Sequence, residues 1–448
     1  MLDQLLRFIY ASSIAIIYDF RYYSQQLIII NVSCAITMPS ERFIPYRKAD
    51  IIEMCKPVLA DSTNIHAFDT VCKLLVNRIH YQYHEQLESL KSSYAFFDPN
   101  KDTRSIESVN TETLKRVQKK FAGDFSHLLN AANFEKVTDH DLEEALTEES
   151  LFKVRLAVSF DDFQEVVFYR RGESVKTEVI RHLFGLRKKA ITFTNYDRVA
   201  VYITFKDDAY FAQKGTLPVG FSPGSTIIKL FQNVPKADLE MLFPNSEVRM
   251  RPLDKVIIGA SAAIGGAVVL VTKLGASMLL LASVLAFWLG FKDEQVEITK
   301  QSLITFGIGM GVLGSFVFKE WTKFKNRKIR FMKALSDNLY FKSLDNNAGV
   351  FHTLIDAAEE EDCKEAILAY TFLLSVGTVG MSAEALDNNI EQWFKNQHDC
   401  ELDFDVKDAL DKLLAMKLIT KTKFTYQARP IKDCARELDY YWDNLFQI

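Results

Sequence analysis

Two histidines one helical turn apart are the pair in this sequence whose type and spacing best suit metal binding. His80 and His84 are followed a turn later by Glu88, and residues four apart on a helix share one face. Imidazole nitrogens and carboxylate oxygens are ligands that zinc accepts. A pair of this kind is more often solvated or packed against its own helix. We therefore assign no metal-binding residue and expect no cofactor.

A glycine pattern lies further along the chain, where Gly309, Gly311 and Gly314 match the spacing GxGxxG. This pattern indicates a dinucleotide site only after a strand and at the start of a helix in a βαβ unit. Here it lies inside an apolar segment, which argues against a nucleotide site, so no cofactor-binding residue is assigned.

Few of the short motifs that mark common enzymes occur in the sequence. The HExxH zinc motif and the GxxxxGK[ST] phosphate loop are absent, and the pattern GxSxG occurs once, as GFSPG at 220–224. Carboxylates are plentiful, but nothing in the sequence shows which of them converge in space. No catalytic residue is assigned, and the absence of motifs favours a protein that is not an enzyme without excluding one.

Basic residues gather in the middle of the chain, and they are Arg170, Arg171, Arg181, Arg187, Lys188 and Lys189. Such a group favours anionic lipid headgroups or a phosphorylated ligand, although a solvated face is the more common explanation. The whole chain of 448 residues has a formal net charge of −4, which is too small to indicate a nucleic-acid partner.

The cysteines argue against a disulfide framework or a zinc site. They are far apart and include no CxxC pair, and the six are Cys34, Cys55, Cys72, Cys363, Cys400 and Cys434. This spacing predicts reduced, mostly buried thiols.

The most apolar part of the chain is the block at 253–319. Residues 256–272, 274–291 and 303–318 are three runs without an acidic or basic residue, and Lys273 is the single charge within 256–291. About 18 such residues already suffice for a candidate membrane-spanning helix, whereas a core helix rarely lacks a polar stripe. The block therefore predicts a transmembrane segment.

Length and flanking charge together predict two crossings. A single helix over 256–291 would be roughly 54 Å long against a hydrocarbon core of about 30 Å, so the run must bend near Lys273. The segment 319–333 has seven Lys and Arg residues and one Glu, and basic residues also precede the block, whereas 292–301 sums to −1. This pattern favours a hairpin with both flanking regions on the cytoplasmic-type side, with three crossings as the alternative.

Small residues recur at helical spacing inside the block, as Gly259, Ala263, Ala267 and then Gly307, Gly311, Ser315. Such faces let helix backbones approach closely. They predict packing within the hairpin or between protomers, so the expected partners are the lipid bilayer and either other proteins or further copies of the chain.

The region before residue 150 is predicted to be mainly helical. Within 47–95 the apolar residues form one stripe, with members at Ile65, Phe68, Cys72, Leu75, Ile79, Tyr83, Leu87 and Leu90. A polar link at 98–113 and an acidic helical portion at 112–150 follow. Residues 1–37 have no signal-peptide or transit-peptide pattern, and they are either an over-extended translation start or a weak interfacial anchor.

Strands are predicted after residue 151. Residues 166–169 and the alternating run 189–205, with a turn at 195–197, predict a hairpin in a small antiparallel sheet. Residues 227–231 predict another strand, and a short helix follows between Pro235 and Pro244.

The C-terminal part is predicted to be helical again. The acids at 359–362 are placed at the start of a helix, where they suit the helix dipole, after a break at 345–347. From residue 381 the order is reminiscent of a winged helix, with helices at 382–396 and 404–416, strands at 418–420 and 423–426, and a closing helix at 435–446. The balance of −4 over 381–448 argues against DNA binding, so a protein-contact or structural module is expected.

Three segments together resemble one known family. They are SERFIPYRKADII, LFQNVPKADLEMLFPNSEVRM before the apolar block, and NLYFKSLDNNAGVFHTLIDAAEEEDCKEAILAY after it. Their order and spacing resemble the transmembrane protein 143 family, whose shared region is catalogued as domain of unknown function 3754. The resemblance covers about residues 40–448. It implies a membrane protein, mitochondrial in animals, and it supplies no catalytic residues; because the start lacks a transit-like segment, a bacterial inner membrane is favoured here.

The sequence thus predicts an α+β membrane protein with a transmembrane helical hairpin. Its segments are a 1–37 extension, a 38–150 helical region, a 151–252 α+β unit, a 253–319 transmembrane segment, a 320–380 basic and helical region and a 381–448 winged-helix-like module. The function expected is that of a membrane-anchored interaction or scaffold protein. The alternatives are a membrane-tethered regulator or enzyme and, third, a channel or transporter.

Overall fold

The structure is a computed structural model of the chain. It describes residues 42–59, 64–100, 110–147, 155–182, 187–215, 221–249, 259–260, 263–269, 275–289 and 299–446. Several predictions lie outside these residues, namely those for 1–37 and Lys273, most of the polar link and most of the loop at 292–301.

The helices are numbered in chain order. They are α1 Lys48–Cys55, α2 Ile65–Tyr94, α3 Thr111–Ala131, α4 Asp139–Thr147, α5 Asp208–Lys214, α6 Gly275–Trp288, α7 Lys300–Lys342, α8 Ala348–Ser375, α9 Ala383–His398, α10 Val406–Ala415 and α11 Ile431–Asp443. A 3-10 helix at Lys236–Leu242 occupies the place of the short helix predicted between the two prolines.

The strands are β1 Glu135–Lys136, β2 Arg155–Ala157, β3 Phe163–His182, β4 Arg187–Phe205, β5 Thr226–Pro235, β6 Glu247–Arg249, β7 Ser343–Asn346, β8 Ile419–Lys421 and β9 Tyr426–Ala428. The main sheet has five antiparallel strands in the order β1-β3-β4-β5-β7. The antiparallel sheet expected from the sequence is confirmed.

The hairpin turn predicted at 195–197 is wrong. These residues lie inside β4, where Asn195 pairs with Ser174 and Tyr196 with Glu173. Tyr196 is buried there, in the core on one face of the sheet. The strands β3 and β4 continue past this point to His182 and Arg187, so the hairpin is longer than the alternating pattern indicated.

The sheet separates two hydrophobic cores because successive residues of β4 point to opposite faces. Ala200 and Tyr202 belong to the larger core, which they share with α2, α3, α8 and the C-terminal helices. Val199, Val201 and Ile203 belong to a smaller core with the 3-10 helix and α4. The sheet is thus buried on both faces along this stretch.

The apolar stripe predicted for 65–90 is confirmed for α2. The helix begins after Asn64, whose side chain caps it by accepting a hydrogen bond from the Ala67 amide. All the predicted stripe residues are buried except Ile65, which is 37% exposed in the first turn of the helix.

The transmembrane hairpin, and with it the membrane-protein fold class, is wrong. Among the described residues no helix combines enough length with enough apolar character to span a bilayer. The helix α6 has 14 residues, about 21 Å at 1.5 Å per residue, against roughly 30 Å of hydrocarbon. The apolar part of α7 is short too, since the charge-free run 303–318 is about 24 Å long at 1.5 Å per residue before the basic segment 319–333 begins in the same helix. The chain is a mixed α/β protein with an antiparallel sheet.

The C-terminal order of helix, helix, strand, strand and helix is confirmed by α9, α10, β8, β9 and α11. The strand β9 begins three residues later than the second strand was predicted, at Tyr426. Of the cysteines within the described residues, Cys55, Cys72, Cys363 and Cys434 are free and buried thiols, as expected, and Cys400 is partly buried.

Candidate functional site

The acids at 359–362 do not start a helix. They lie in the middle of α8, which runs from Ala348 to Ser375, so their prediction as helix N-terminal residues is wrong. Within residues 359–365 of this helix, four acids and one lysine are buried, and they are Glu359, Glu361, Asp362, Lys364 and Glu365. Charged residues are almost never buried unless they are paired, so their partners define this part of the molecule.

Glu361 and Lys364 form an ion pair inside the protein. Lys364 Nζ lies 2.5 Å from Glu361 Oε1, and both side chains are 1% exposed. The backbone of Ile44 closes the arrangement, since its carbonyl accepts from Lys364 at 2.7 Å and its amide donates to Glu361 at 3.1 Å. Burial raises the pKa of Glu361, against the opposing effect of Lys364. This pair connects the start of the described chain to α8.

Glu359 joins α8 to a histidine of α2. Glu359 Oε2 lies 2.7 Å from His80 Nδ1, and its other oxygen lies 3.0 Å from Lys48 Nζ. A carboxylate on one ring nitrogen fixes the orientation of an imidazole. The His80 side chain is 66% exposed, in line with the solvated alternative, and Glu359 orients its ring.

A second buried cluster lies between α8, α2 and α10. Lys412 Nζ lies 2.5 Å from Asp362 Oδ1 and also contacts Asp408, while Tyr83 donates to Asp362 Oδ2 at 2.6 Å. Glu365 stands beside them, with its carboxylate oxygen within 4.8 Å of those of Asp362 and Asp408.

Burial governs the protonation of this second cluster. It raises the pKa of Asp362 to about 6, although Lys412 and Tyr83 oppose the rise, and it raises the pKa of Glu365 well above the usual value. Burial alone would lower the pKa of Lys412, but the three carboxylates outweigh it and hold that pKa above its ordinary value. The cluster therefore holds protons more tightly than exposed carboxylates do.

Sequence reasoning missed this cluster, although a signal was present. Asp362 and Glu365 are three residues apart, and Asp408 and Lys412 are four apart, so each pair shares a helix face. Charges on the face of an otherwise apolar helix indicate buried partners. The sequence does not show that the two faces meet.

His80 and His84 line an open groove of about 600 Å³ between α2 and α11, with Leu74, Asn77, Tyr81, Asp439 and Trp442. Within the described residues the groups of three or more side chains with metal-ligand geometry are His140, Asp141 and Glu144 at the surface, and Asp362, Glu365 and Asp408 in the interior. Neither group includes His80, His84 or Glu88.

The residues of the predicted basic group lie at two places along β3 and β4. Arg170 contacts Glu173 and lies 3.4 Å from Glu135, and Arg171 donates to the Ala132 carbonyl at 3.3 Å. The others continue β3 and β4, where the backbone register places Arg181 opposite Lys188. The structure thus divides the predicted basic surface into two parts.

The GxGxxG pattern lies inside α7, between Lys300 and Lys342. No strand precedes it there, since the helix is already continuous from Lys300. The pattern therefore lies inside a continuous helix and not at a helix start, where a dinucleotide site would place it.

More than half of the exposed large apolar side chains of the described residues lie on α6, α7 and the helical residues 263–269. Those between residues 263 and 321 are Ile264, Leu279, Leu285, Trp288, Leu289, Leu303, Ile304, Ile308, Met310, Val317, Phe318 and Trp321. Phe316 packs inward, where a Cβ on Gly265 would lie 3.3 Å from its ring. A Cβ on Gly307 or Gly311 would meet nothing within 4 Å. We name the surface formed by these exposed side chains the α6–α7 apolar surface.

Basic residues follow the α6–α7 apolar surface on the same helix. Lys319, Lys323, Lys325 and Lys333 are exposed, and Lys323 is the one of these with a close acid, Glu320, at 2.5 Å. The far end of α7 is attached to the sheet, where Leu339 packs against the smaller core and the Phe341 carbonyl lies 3.5 Å from Gln232 Nε2. The helix is thus attached to the sheet at its C-terminal end, and many of its other side chains are exposed.

Comparison with known proteins identifies one matching region. Residues 196–349 match a protein family described as "Protein of unknown function (DUF3754)". The match begins in β4, includes α6 and α7, and ends in the first turn of α8, so this region contains a domain of unknown function. The narrower resemblance to the transmembrane protein 143 family stays a prediction. No solved structure matches the chain.

Proposed function

We propose that the protein is an interaction protein that docks on an anionic lipid surface through the α6–α7 apolar surface and the basic residues that follow it. The observation that carries this proposal is the order of side chains along α7. Exposed apolar residues without lysines extend to Phe318, and from Lys319 onward exposed lysines are interspersed with exposed apolar residues such as Ile329 and Met332 on the same continuous helix.

The apolar side chains supply one part of the binding energy. Soluble monomers rarely expose contiguous apolar patches larger than a few hundred Å², and burial of apolar surface yields about 25 cal/mol per Å². Phe318 is 70% exposed and Trp288 is 83% exposed. The boundary between headgroups and acyl chains accommodates such side chains in helices that lie along a bilayer.

The basic residues supply the other part and select the occupant. The segment 319–333 has seven Lys and Arg residues against one Glu, and each basic residue near an anionic bilayer contributes about 1 kcal/mol. A second copy of the chain would present the same positive segment, whereas anionic headgroups complement it. We therefore favour a lipid surface over self-association.

The proposal also concerns location and partners. A body attached through the end of α7 would lie beside the membrane, at the bacterial inner membrane favoured from the sequence. The helical and sheet-containing body would then be available to protein partners next to that surface, which is the scaffold role expected from the sequence.

Vesicle flotation of the full chain tests the proposal. We expect binding to vesicles of phosphatidylcholine with phosphatidylglycerol, and much weaker binding to phosphatidylcholine alone. Replacing Lys319, Lys325 and Lys333 with Gln removes about 3 kcal/mol, so the dissociation constant on anionic vesicles should rise roughly a hundredfold at low salt.

A matched control changes the same charge elsewhere. Lys407, Lys423 and Lys432 are exposed on the C-terminal elements, and their triple Gln variant should bind within a few-fold of the wild type. Equal losses in both triple variants, or no preference for anionic vesicles, would contradict the proposal. A stable dimer that forms without lipid and conceals the α6–α7 apolar surface would identify a second copy as the occupant and would contradict it also.

A further inference from the structure

The cluster of Asp362, Glu365 and Asp408 has more negative charge than its partners neutralise. Lys412 is the cation of the cluster, and Tyr83 adds a hydrogen bond to Asp362. Three carboxylates against one ammonium leave two negative charges in excess when all are ionised. Buried excess charge is costly unless protons or a metal ion compensate it.

Glu365 is the member of the cluster that the ion pairs do not include. It is 3% exposed, and the neighbouring network of Asp362, Asp408, Lys412 and Tyr83 is complete without it. Among the described residues no donor hydrogen-bonds to the Glu365 carboxylate, and no cation lies within 4.0 Å of it. A buried carboxylate with no partner, directed at two other carboxylates, indicates a ligand position.

The distances suit a single ion. One oxygen from each of the three carboxylates lies within 4.8 Å of the other two. Two oxygens that bind the same Ca²⁺ at about 2.3–2.6 Å can be up to roughly 5 Å apart, and shorter bonds to Mg²⁺ or Mn²⁺ need only a small further approach. All three groups are oxygen ligands, which hard divalent cations prefer over zinc or copper.

The site is open to solvent on one side. The Asp408 side chain is 45% exposed on α10, whereas Asp362 is 7% exposed. An ion can therefore enter past Asp408 and retain water molecules there, as Mg²⁺ and Mn²⁺ commonly do in proteins.

From these contacts we infer that Asp362, Glu365 and Asp408 bind one divalent cation of the oxygen-preferring class between α8 and α10. The ion neutralises the two excess charges, and Lys412 moves from its position between Asp362 and Asp408 to pair with the outer oxygens. The bound ion links α10, and with it the C-terminal elements, to the central helix α8.

Manganese binding to the full chain tests this inference. After removal of divalent ions with a chelator and dialysis, Mn²⁺ is titrated and the free ion is measured by electron paramagnetic resonance. We expect one bound Mn²⁺ per chain, competition by Mg²⁺ or Ca²⁺, and a melting temperature that rises with Mn²⁺ concentration.

Two variants test whether Mn²⁺ binds at the cluster of Asp362, Glu365 and Asp408. Glu365→Gln keeps the side-chain shape but removes a ligand charge, and it should weaken Mn²⁺ binding at least tenfold. Asp408→Asn should act in the same direction and provides an independent variant if one of them fails to fold.

The surface group of His140, Asp141 and Glu144 offers a matched control, because it has similar geometry but is exposed and Lys236 lies 2.7 Å from Glu144. Glu144→Gln should leave the tight Mn²⁺ site unchanged. The inference would be overturned if the wild type bound no Mn²⁺ more tightly than Glu365→Gln, or if Glu144→Gln removed the site. It would also be overturned if Glu365→Gln stabilised the chain equally with and without Mn²⁺, since the cluster would then hold protons alone.

Discussion

Replacing Lys364 with Met tests how the acid-rich middle of α8 is stabilised. The substitution keeps most of the length of the side chain but removes the ammonium group and leaves Glu361 without its cation, at a site where both side chains are 1% exposed. Breaking a buried ion pair by removing one partner typically costs about 3–5 kcal/mol. The variant also loses the hydrogen bond to the Ile44 carbonyl. We expect its free energy of unfolding to fall by about this amount.

A matched substitution separates burial from loss of charge. Lys395 and Glu401 form a pair with side chains that are 64% and 58% exposed, and exposed pairs contribute about 0–1 kcal/mol. Lys395→Met should therefore have little effect.

Hydrogen exchange by mass spectrometry over α8 measures both variants. When exchange is governed by the equilibrium population of the unfolded state, a loss of 3–5 kcal/mol makes the amides exchange roughly a hundred to several thousand times faster than in the wild type. Exchange in Lys364→Met that stays within a few-fold of Lys395→Met would refute the reasoning.

The pH dependence of the same variant follows from Glu361. Burial raises the pKa of Glu361 above 4.5, so the folded state holds this proton more tightly than the unfolded state does. The resulting stability is complete below 4.5 and is lost as the pH rises through the folded pKa. Without Lys364, which opposes the rise, the loss extends further, so the deficit of Lys364→Met should be larger at pH 8 than at pH 5.

Three further substitutions test other contacts. Burial raises the pKa of Asp362 from 3.8 to about 6. The protonated carboxyl therefore stabilises the folded state at low pH, and this contribution is lost as the pH rises through about 6. The melting temperature of Asp362→Asn relative to that of the wild type should accordingly increase between pH 4 and pH 7. Gly172→Ala would place Cβ 2.7 Å from Asp197 Oδ2 at a φ of +71°, and it should cost more in urea unfolding than Gly215→Ala, which has a similar φ of +69° but open space around it. Tyr94→Phe removes a buried hydroxyl that donates to a β5 carbonyl at 2.8 Å and should cost about 1–3 kcal/mol by the same assay.

Local sequence patterns correctly predicted the elements whose buried residues recur at a regular spacing along the chain. The stripe of α2 was found because one buried face recurs every three or four residues from Phe68 to Leu90. The order of the C-terminal elements was predicted from residue 381 onward, and in the structure α9 buries Leu386, Ile390 and Phe394 at helical spacing. In both cases the information lies within a few turns of the chain.

The errors concern features that distant residues decide. Polar residues at Asn195 and Asp197 resemble a turn, but β3 pairs across them and buries the neighbouring Tyr196. The acids at 359–362 resemble a helix start, but Lys48 and Lys412, from elements remote in sequence, pair with them in mid-helix. Only the folded arrangement supplies those partners.

The apolar block shows a different limit of sequence reasoning. Charge-poor runs predicted crossing helices, but hydropathy does not show where each helix begins and ends. The helix α6 begins at Gly275 and ends at Trp288, and α7 continues from its apolar part into the basic segment. Helix boundaries, together with the positions of the nearest charged residues, decide whether a run has the length to cross a bilayer.

Hydrogen exchange of the full chain with and without vesicles tests the proposed lipid docking most directly. On vesicles that contain phosphatidylglycerol, amides of 303–318 and 319–333 in α7 should exchange more slowly, while α8 should be unchanged because it is already buried. Phosphatidylcholine alone should protect α7 much less. If α7 exchanges at the same rate with anionic vesicles as without them, the α6–α7 apolar surface does not bind lipid and the proposed function is wrong.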